Sequence, residues 1–294
     1  MLEGLLQVVI DGCASGAIYA AVALALALVY KSSGIVNFAQ GEMGMFCTFI
    51  TWWLNQQGLG LAAAIAAGLA IAFLVGAMVE RLFIRPVASY GEFPAVLTTL
   101  GLFLVFNELA PWLWGPENRA FPSLFGNGVL AIGAARVSAE SVGILVVMVA
   151  VGSLFFLVMH KTKLGLGMRA AAANATSSSL SGVPAPRMFM LGWGFATALA
   201  TLAGVLIAPR LFLDASLMLG VIVYALAAAA LGGFTSLAGA VVGGLVIGIV
   251  ETLASNYVEF IGSDLKILVP LTVLLVVLIF RPTGLFGKSA ERAV

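Results

Sequence analysis

Few residues in this sequence could perform acid–base or metal chemistry. His160 is the single histidine, which excludes a multi-histidine metal site. Glu42 and Glu251 interrupt apolar stretches, but no serine–histidine pair and no paired aspartates accompany them. Gly287-Lys288-Ser289 looks like the end of a phosphate-binding loop, yet Pro282 occupies the position of that loop's first glycine. The sequence therefore predicts no catalytic residue, no metal site and no cofactor bound by this chain.

A group of polar residues surrounds one of these acids. Asn37, Gln40 and Glu42 fall within an otherwise apolar stretch that also contains three glycines. The glycines permit a broken or closely packed helix, and Asn37 is a residue type that caps helix starts. One interpretation is a gate or pathway element for a polar solute. The other is a buried hydrogen-bond network that fixes helix packing, and the sequence leaves both open.

The composition indicates which elements carry these residues. Of the 294 residues, 62% are hydrophobic and 9% are charged, whereas soluble domains carry roughly 25% charged residues. So few charges cannot cover the surface of a water-soluble fold of this length. The formal net charge of +1 argues against nucleic-acid binding, which requires a concentrated basic face. The sequence predicts an all-α, polytopic bundle of transmembrane helices that forms one domain over residues 1–294.

The apolar stretches are long enough to cross a lipid bilayer. A helix rises about 1.5 Å per residue, so about 20 apolar residues span a hydrocarbon core of about 30 Å. The uncharged stretch 215–250 would form a helix of about 54 Å, and Gly232-Gly233 followed by Thr235 and Ser236 predicts a break within it. We therefore predict eight or nine spans: 12–30, 35–54, 59–79, 93–115, 141–159, 188–209, two within 215–250, and about 264–280.

The basic residues predict the orientation of these spans. When nine spans alternate, ten of the 14 Lys and Arg residues fall on one side, including Lys288 and Arg292 near the C-terminus. Because basic residues accumulate in cytoplasmic loops, that side and the C-terminus are predicted to be cytoplasmic. The longest external loop is then 116–140. Glu108 and Glu251 are expected near outer helix ends, where water can solvate them.

The stretch 161–187, called the connecting segment below, is predicted to contain a short cytoplasmic helix. Residues 168–174 are rich in alanine, a strong helix former, and Pro184 and Pro186 are expected to stop the helix before the next span. A helix of small residues lying along the membrane could dock into a groove of another protein. An ordinary connecting loop is the alternative.

Glycines recur at intervals of four in the stretch 239–248. This spacing makes a smooth helix face that lets two helix backbones approach closely. We predict a helix-packing role for this set and for the glycine pair before it, which together comprise Gly232, Gly233, Gly239, Gly243, Gly244 and Gly248.

Several separated motifs resemble, in the same order, those of the permease subunits of high-affinity branched-chain amino-acid ABC importers. They are Asn37-Phe38-Ala39-Gln40-Gly41-Glu42, the run from Gly167-Met168-Arg169-Ala170 to Gly182, Leu231-Gly232-Gly233-Phe234-Thr235-Ser236, and Arg281-Pro282-Thr283-Gly284-Leu285-Phe286-Gly287. The resemblance covers nearly the whole chain. Relatives often have histidine at the position of Gln40, so no proton-linked role is expected there.

The resemblance implies a permease of the bacterial inner membrane that forms the translocation path with a second, related permease. Two cytoplasmic ATPases, which use the ATP, and an external solute-binding protein complete such importers. As the residues of the path or gate we predict the polar group described above, Asn37, Gln40 and Glu42. Those implied for coupling to an ATPase are Met168, Arg169, Asn174 and Gly182.

The resemblance leaves the substrate open, because related importers take urea, short amides and other amino acids as well as branched-chain ones. A competing class is the ion-coupled secondary transporter, which works without ATPases and usually has an ionisable site near mid-membrane. Glu42 is compatible with that class. The connecting segment, with its features of a docking helix, favours the importer.

Overall fold

The computed structural model describes residues 2–126, 128–132, 135–262 and 265–287. These residues are mostly helical, with a π-helical turn (Glu80–Ile84) between two of the helices and one antiparallel hairpin of strands β1 (Val129–Ile132) and β2 (Ala135–Ser138). The α-helices are α1 (Leu2–Ser33), α2 (Gln40–Gln56), α3 (Leu61–Val79), α4 (Arg85–Ala88), α5 (Glu92–Trp114), α6 (Ala139–Lys161), α7 (Lys163–Ala173), α8 (Ala175–Leu180), α9 (Ala185–Leu211), α10 (Leu217–Gly232), α11 (Leu237–Tyr257) and α12 (Leu268–Phe280).

Each predicted span falls on a helix. By length and composition, six helices of the described residues can cross a membrane: α1, α3 with its extension to Ala88, α5, α6, α9 and α11. The apolar helices α10 and α12 are shorter, and α2, with 17 residues, carries the remaining predicted span. The prediction of an all-α polytopic membrane protein is confirmed. Asp264, Lys288 and Arg292, on which the last span and the orientation partly rest, lie outside the described residues.

Two local features differ from the sequence analysis. The stretch 35–54 is not helical throughout, because Gly34 has a φ of 75° and α2 begins only at Gln40. The stretch 116–140 contains the unanticipated hairpin, in which Val129 lies opposite Ser138 and Leu130 opposite Val137. Its loop is also tied to the end of α9 by two backbone hydrogen bonds between Arg119 and Leu213, of 3.0 and 2.8 Å.

The described chain divides into two compact units. The first is drawn from residues 1–27, 125–146 and 220–294, and the second from residues 28–124 and 147–219. Each unit is built from segments that are distant in sequence, so each depends on long-range packing between helices. A single permease domain stays a prediction.

In the second unit, α3 packs through a face of small residues. The buried positions of this face follow one another at intervals of four: Ala64, Gly68, Ala72 and Gly76. A Cβ at Gly76 would overlap Thr197 of α9, and a Cβ at Gly68 would overlap Thr51 of α2. The opposite side of α3 exposes Leu74 and Met78. Small residues thus let the backbones approach, while the large apolar side chains are left to face lipid.

In the first unit, α11 lies directly against the backbone of α1. A Cβ at Gly244 would overlap the backbone of Ala20, and a Cβ at Gly248 would overlap the backbone of Gly16. A Cβ at Gly16 would in turn lie 2.9 Å from the carbonyl oxygen of Gly244. The contact is therefore made by backbone on both sides, and neither side has space for a side chain.

The other side of α11 contacts α10. A Cβ at Gly239 would overlap the carbonyl of Gly232, and a Cβ at Gly243 would overlap the carbonyl of Ala228. The break predicted between the two helices is confirmed: α10 ends at Gly232, and the Oγ of Ser236 accepts a hydrogen bond of 3.0 Å from the N–H of Gly239 at the start of α11. This cap satisfies one of the free N–H groups of the first turn.

The tail motif 281–287 closes over the end of α10. The N–H of Leu285 donates to the carbonyl of Leu231 at 2.8 Å, and the N–H of Phe286 donates to the carbonyl of Gly232 at 3.1 Å. The chain turns there through Gly233, with φ of 94°, and Gly284, with φ of 77°. The tail thus supplies donors to carbonyls that a helix C-terminus leaves without an intrahelical partner.

Candidate functional site

Asn37 and Gln40 form one polar contact at the start of α2. The Nδ2 of Asn37 donates to the Oε1 of Gln40 at 3.0 Å, and the Oδ1 of Asn37 accepts from the N–H of Ala39 at 3.0 Å. Ala39 is the N-cap of α2, so Asn37 stands two residues before the cap position predicted for it. Both side chains are completely buried. Asn37 therefore fixes the turn that leads into α2.

Glu42 belongs to a second polar contact. Its Oε2 accepts a hydrogen bond of 3.0 Å from the Nδ2 of Asn107 on α5, and the same Nδ2 donates to the carbonyl of Ala215 at 3.0 Å. Glu42 is only 1% exposed. No basic side chain lies within salt-bridge distance of it among the residues that the structure describes. The carboxyl group of Glu42 thus joins α2 to α5 and, through Asn107, to the loop before α10.

These two contacts are separate, because residues two apart on a helix differ by about 200° in direction. No hydrogen bond joins Gln40 to Glu42 among the described residues. The Nε2 of Gln40 is buried without a hydrogen-bond partner. The three residues predicted together as a path or gate therefore occupy two different sides of α2.

Asn107 is a functional candidate that the sequence analysis missed. Its only signal is an amide next to Glu108 within the apolar stretch of α5. The side chain of Glu108 is exposed, as expected, whereas that of Asn107 is turned towards Glu42. The expected solvation of Glu251 is wrong: its residue is 6% exposed, and its Oε2 accepts a hydrogen bond of 3.4 Å from the Oγ1 of Thr252.

The connecting segment folds into the two short helices α7 and α8. Its first helix begins earlier than predicted, at Lys163, because the Oγ1 of Thr162 accepts from the N–H of Gly165 at 3.2 Å and caps the start. The prolines do not stop the second helix, which ends at Leu180. Pro186 lies instead in the first turn of α9, where its missing N–H costs no hydrogen bond.

The four residues implied for ATPase coupling have different surroundings. Met168 is buried, and its Cε packs beside Gly192 of α9. Arg169 is half-buried, whereas Asn174 and Gly182 are exposed, and Gly182 has a φ of 83°. Met168 therefore anchors α7 to α9. A partner protein can reach Asn174 and Gly182.

The most exposed apolar residue of the connecting segment is Leu180, at 86%. It lies at the end of α8, whose other residues are small or hydroxylated. The sequence analysis missed it because a leucine next to serines has no distinctive spacing. Because of this exposure, the side chain of Leu180 is accessible to a partner protein.

Asn174 caps α8, and its replacement tests how firmly this helix is held. The Oδ1 of Asn174 accepts from the N–H of Ser177 at 2.9 Å. Asn174→Ala is expected to destabilise α8 by roughly 0.5–2 kcal/mol, whereas Asn174→Asp keeps the acceptor. Hydrogen exchange should therefore accelerate in residues 175–180 for Asn174→Ala alone. Equal exchange in both variants would contradict the capping role.

Comparison with known proteins decides the family. A family model described as the permease component of the branched-chain amino acid transport system matches residues 8–278. The chain belongs to this family. The resemblance inferred from the motifs is thereby confirmed. As a member of the branched-chain permease family, the chain is a multi-pass membrane transport component and not an enzyme.

Similar proteins cover nearly the full length of this family member. It is 29% identical to LivH, the high-affinity branched-chain amino acid transport system permease protein of Escherichia coli K12, over 98% of this chain and 97% of LivH. It is 27% identical to BraD, the corresponding permease protein of Pseudomonas aeruginosa, over 98% of both chains. The fructose import permease protein FruF of Bifidobacterium longum is 26% identical over 79% of this chain and 66% of its own.

A solved structure shares the fold of this branched-chain permease. PsaBC from Streptococcus pneumoniae, in complex with Fab, aligns with a TM-score of 0.50 over 93% of this chain and 91% of that chain, at 13% sequence identity. At this identity the similarity concerns the fold alone.

Proposed function

We propose that this chain is the transmembrane permease subunit of an ATP-driven importer for amino acids of the branched-chain type. It forms the translocation path with a second, related permease in the inner membrane of a bacterium. Two cytoplasmic ATPase subunits bind and hydrolyse the ATP, and an external solute-binding protein delivers the solute. The match of residues 8–278 to the permease family supports this function, and the names of LivH and BraD support the substrate class.

The observation that carries the ATP-driven mechanism is the exposed surface of the connecting segment. α7 is anchored to α9 through Met168, while α8 presents Leu180 and the capping residue Asn174 to solvent. A partner that binds α8 can therefore displace α9, because the connecting segment is anchored to α9 through Met168. An ion-coupled secondary transporter has no need of such a surface.

The proposed topology has nine spans, α1, α2, α3, α5, α6, α9, α10, α11 and α12, with the connecting segment and the C-terminus in the cytoplasm. The excess of Lys and Arg on that side supports this orientation. Asn37, Gln40 and Glu42 are gate residues in the proposal. Their burial without a basic partner gives a polar interior that a change of helix packing can open to the solute.

Transport by alternating access follows from this arrangement. The ATPases must bind one permease state better than the other, since a ligand shifts an equilibrium only by its differential affinity for the two states. Closure of the ATPase pair displaces α8, α9 follows, and the packing of α9 against α2 and α3 changes. The gate between the two permeases then opens to the other side of the membrane.

Co-purification of the tagged chain in mild detergent tests this proposal. We expect a second permease and two ATPases to accompany the chain, and Leu180→Asp to lower ATPase recovery at least about tenfold, because burying one leucine contributes about 1.5–3 kcal/mol. The control is Leu130→Asp in the hairpin, which removes another exposed leucine (44% exposed, against 86% for Leu180) and should leave ATPase recovery unchanged. A homo-oligomer that transports solute without ATP would establish a secondary transporter instead.

A further inference from the structure

The π-helical turn between α3 and α4 holds Glu80 and Arg85 together. The main-chain N–H of Arg85 donates to the carbonyl of Glu80, a bond between residues five apart. The two side chains form a double contact, with Nε 3.1 Å from Oε1 and Nη2 2.5 Å from Oε2. Residues five apart on an α-helix differ in direction by about 140°, so this salt bridge needs the π-turn and stabilises it against an α-helical alternative.

The same guanidinium group also binds the connecting segment. The Nη2 of Arg85 donates to the carbonyl of Pro186, at 2.8 Å, across 101 positions of sequence. Glu80 is only 4% exposed, so its carboxylate fixes the guanidinium from the protein side. Arginine is suited to this task because its planar fork presents several donors in a fixed geometry. One side chain thus joins the end of α3 to the first turn of α9.

Pro186 is close to the surface that the proposed ATPases would contact. The N–H of Val183 donates to the carbonyl of Ser178 in α8 at 3.0 Å, so the chain from α8 to α9 is short and ordered. Beyond Pro186, α9 lies against α3 at Gly76 and against α2 at Gly44. A displacement of α8 therefore reaches the Arg85 contact before it reaches the rest of the second unit.

We propose that Glu80 and Arg85 are positioning residues that make α3 follow the connecting segment during transport. This inference rests on the proposed function, in which an ATPase moves that segment. With the contact intact, the start of α9 and the end of α3 move together about the π-turn. Without it, α9 can be displaced while α3 stays behind, and ATP hydrolysis no longer produces the full change at the gate.

Reconstitution of the complete importer in proteoliposomes tests the inference. Four variants are compared with the unmodified chain: Arg85→Gln, Arg85→Lys, Glu80→Gln and the control Arg81→Gln. Arg81 lies in the same turn and is exposed, with no hydrogen bond or salt bridge among the described residues, so its replacement removes an equal charge without the contact. The amount of assembled complex, the ATPase rate and the solute uptake are measured in each case, and uptake is expressed per ATP hydrolysed.

We expect Arg85→Gln and Glu80→Gln to lower uptake per ATP about tenfold, in the range usual for coupling between sites, and Arg81→Gln to leave it unchanged. If the two variants only reduce the amount of complex while uptake per ATP stays normal, the pair is a folding element and the inference is wrong. Arg85→Lys is the variant of this pair least expected to misfold, since it keeps a positive charge beside Glu80. It loses the planar, forked guanidinium group, so uptake per ATP should fall in this variant as well. If no ATPase assembles with the unmodified chain, the proposed function itself fails.

Discussion

Gly248→Leu is expected to abolish the accumulation of folded protein. The backbones of α11 and α1 are in contact at Gly248 and Gly16, and any side chain at position 248 would have to displace one helix. Even Gly248→Ala should lower the free energy of unfolding by about 1–3 kcal/mol, the usual cost of overpacking. The yield of monodisperse protein in detergent and its apparent midpoint of thermal unfolding measure the effect.

Gly101→Ala is the matched control for this contact. Gly101 also lies within a long apolar helix, α5, but a Cβ there would meet no atom within 4 Å. Because alanine has a higher helix propensity than glycine by about 0.8–1.0 kcal/mol, Gly101→Ala should be neutral or stabilising. Replacing glycine by alanine is thus expected to lower the free energy of unfolding at position 248, and to leave it unchanged or raise it at position 101. A Gly248→Ala variant as stable as the unmodified protein would disprove the backbone contact between α1 and α11.

The second large effect is expected at Asn107. Asn107→Leu removes the donor to two acceptors at once, the carboxyl of Glu42 and the carbonyl of Ala215. A polar group left without its partner on burial costs about 1–3 kcal/mol, so the loss of both bonds should lower the free energy of unfolding by about 2–6 kcal/mol, which is roughly thirtyfold or more in the equilibrium constant. Solute uptake should fall with the amount of correctly packed protein.

The double variant Glu42→Leu/Asn107→Leu separates a gate from a packing network. Replacing both partners by apolar groups of similar size removes the unsatisfied carboxyl, so the folded yield should recover towards that of the unmodified protein. Uptake should stay low, since the polar group of the proposed gate is then absent. Recovery of uptake along with folding would show that Glu42 serves only to pack α2 against α5.

The sequence predicted the helices well because each apolar stretch has the length that a bilayer requires. The break within 215–250 was also predictable, since the glycine pair and Ser236 act within a few residues of their own positions. Start points were less accurate where capping decided them, as at Thr162, which begins α7 before the alanine-rich run. Local sequence features therefore predict the helices and the approximate positions where they begin and end.

The contacts of the candidate sites could not be predicted to the same extent. The partner of Glu42 is 65 positions away, and that of Arg85 in α9 is 101 positions away. In helices that are apolar all round, periodicity does not show which side faces protein, so the burial of Glu251 gave no signal. The exposure of Leu180 gave none either, because a single leucine among the small and hydroxylated residues of α8 has no distinctive spacing. Long-range packing decides these features.

The tail over α10 also sets the order in which this part of the protein can mature. The carbonyls of Leu231 and Gly232 receive their donors from Leu285 and Phe286, which leave the ribosome about 3–10 s later at roughly 5–20 residues per second. Until then, the two carbonyls at the end of α10 lack these donors and depend on water as their partner. A nascent chain interrupted before residue 285 lacks both donors, so we expect it to be less stable than the 294-residue chain.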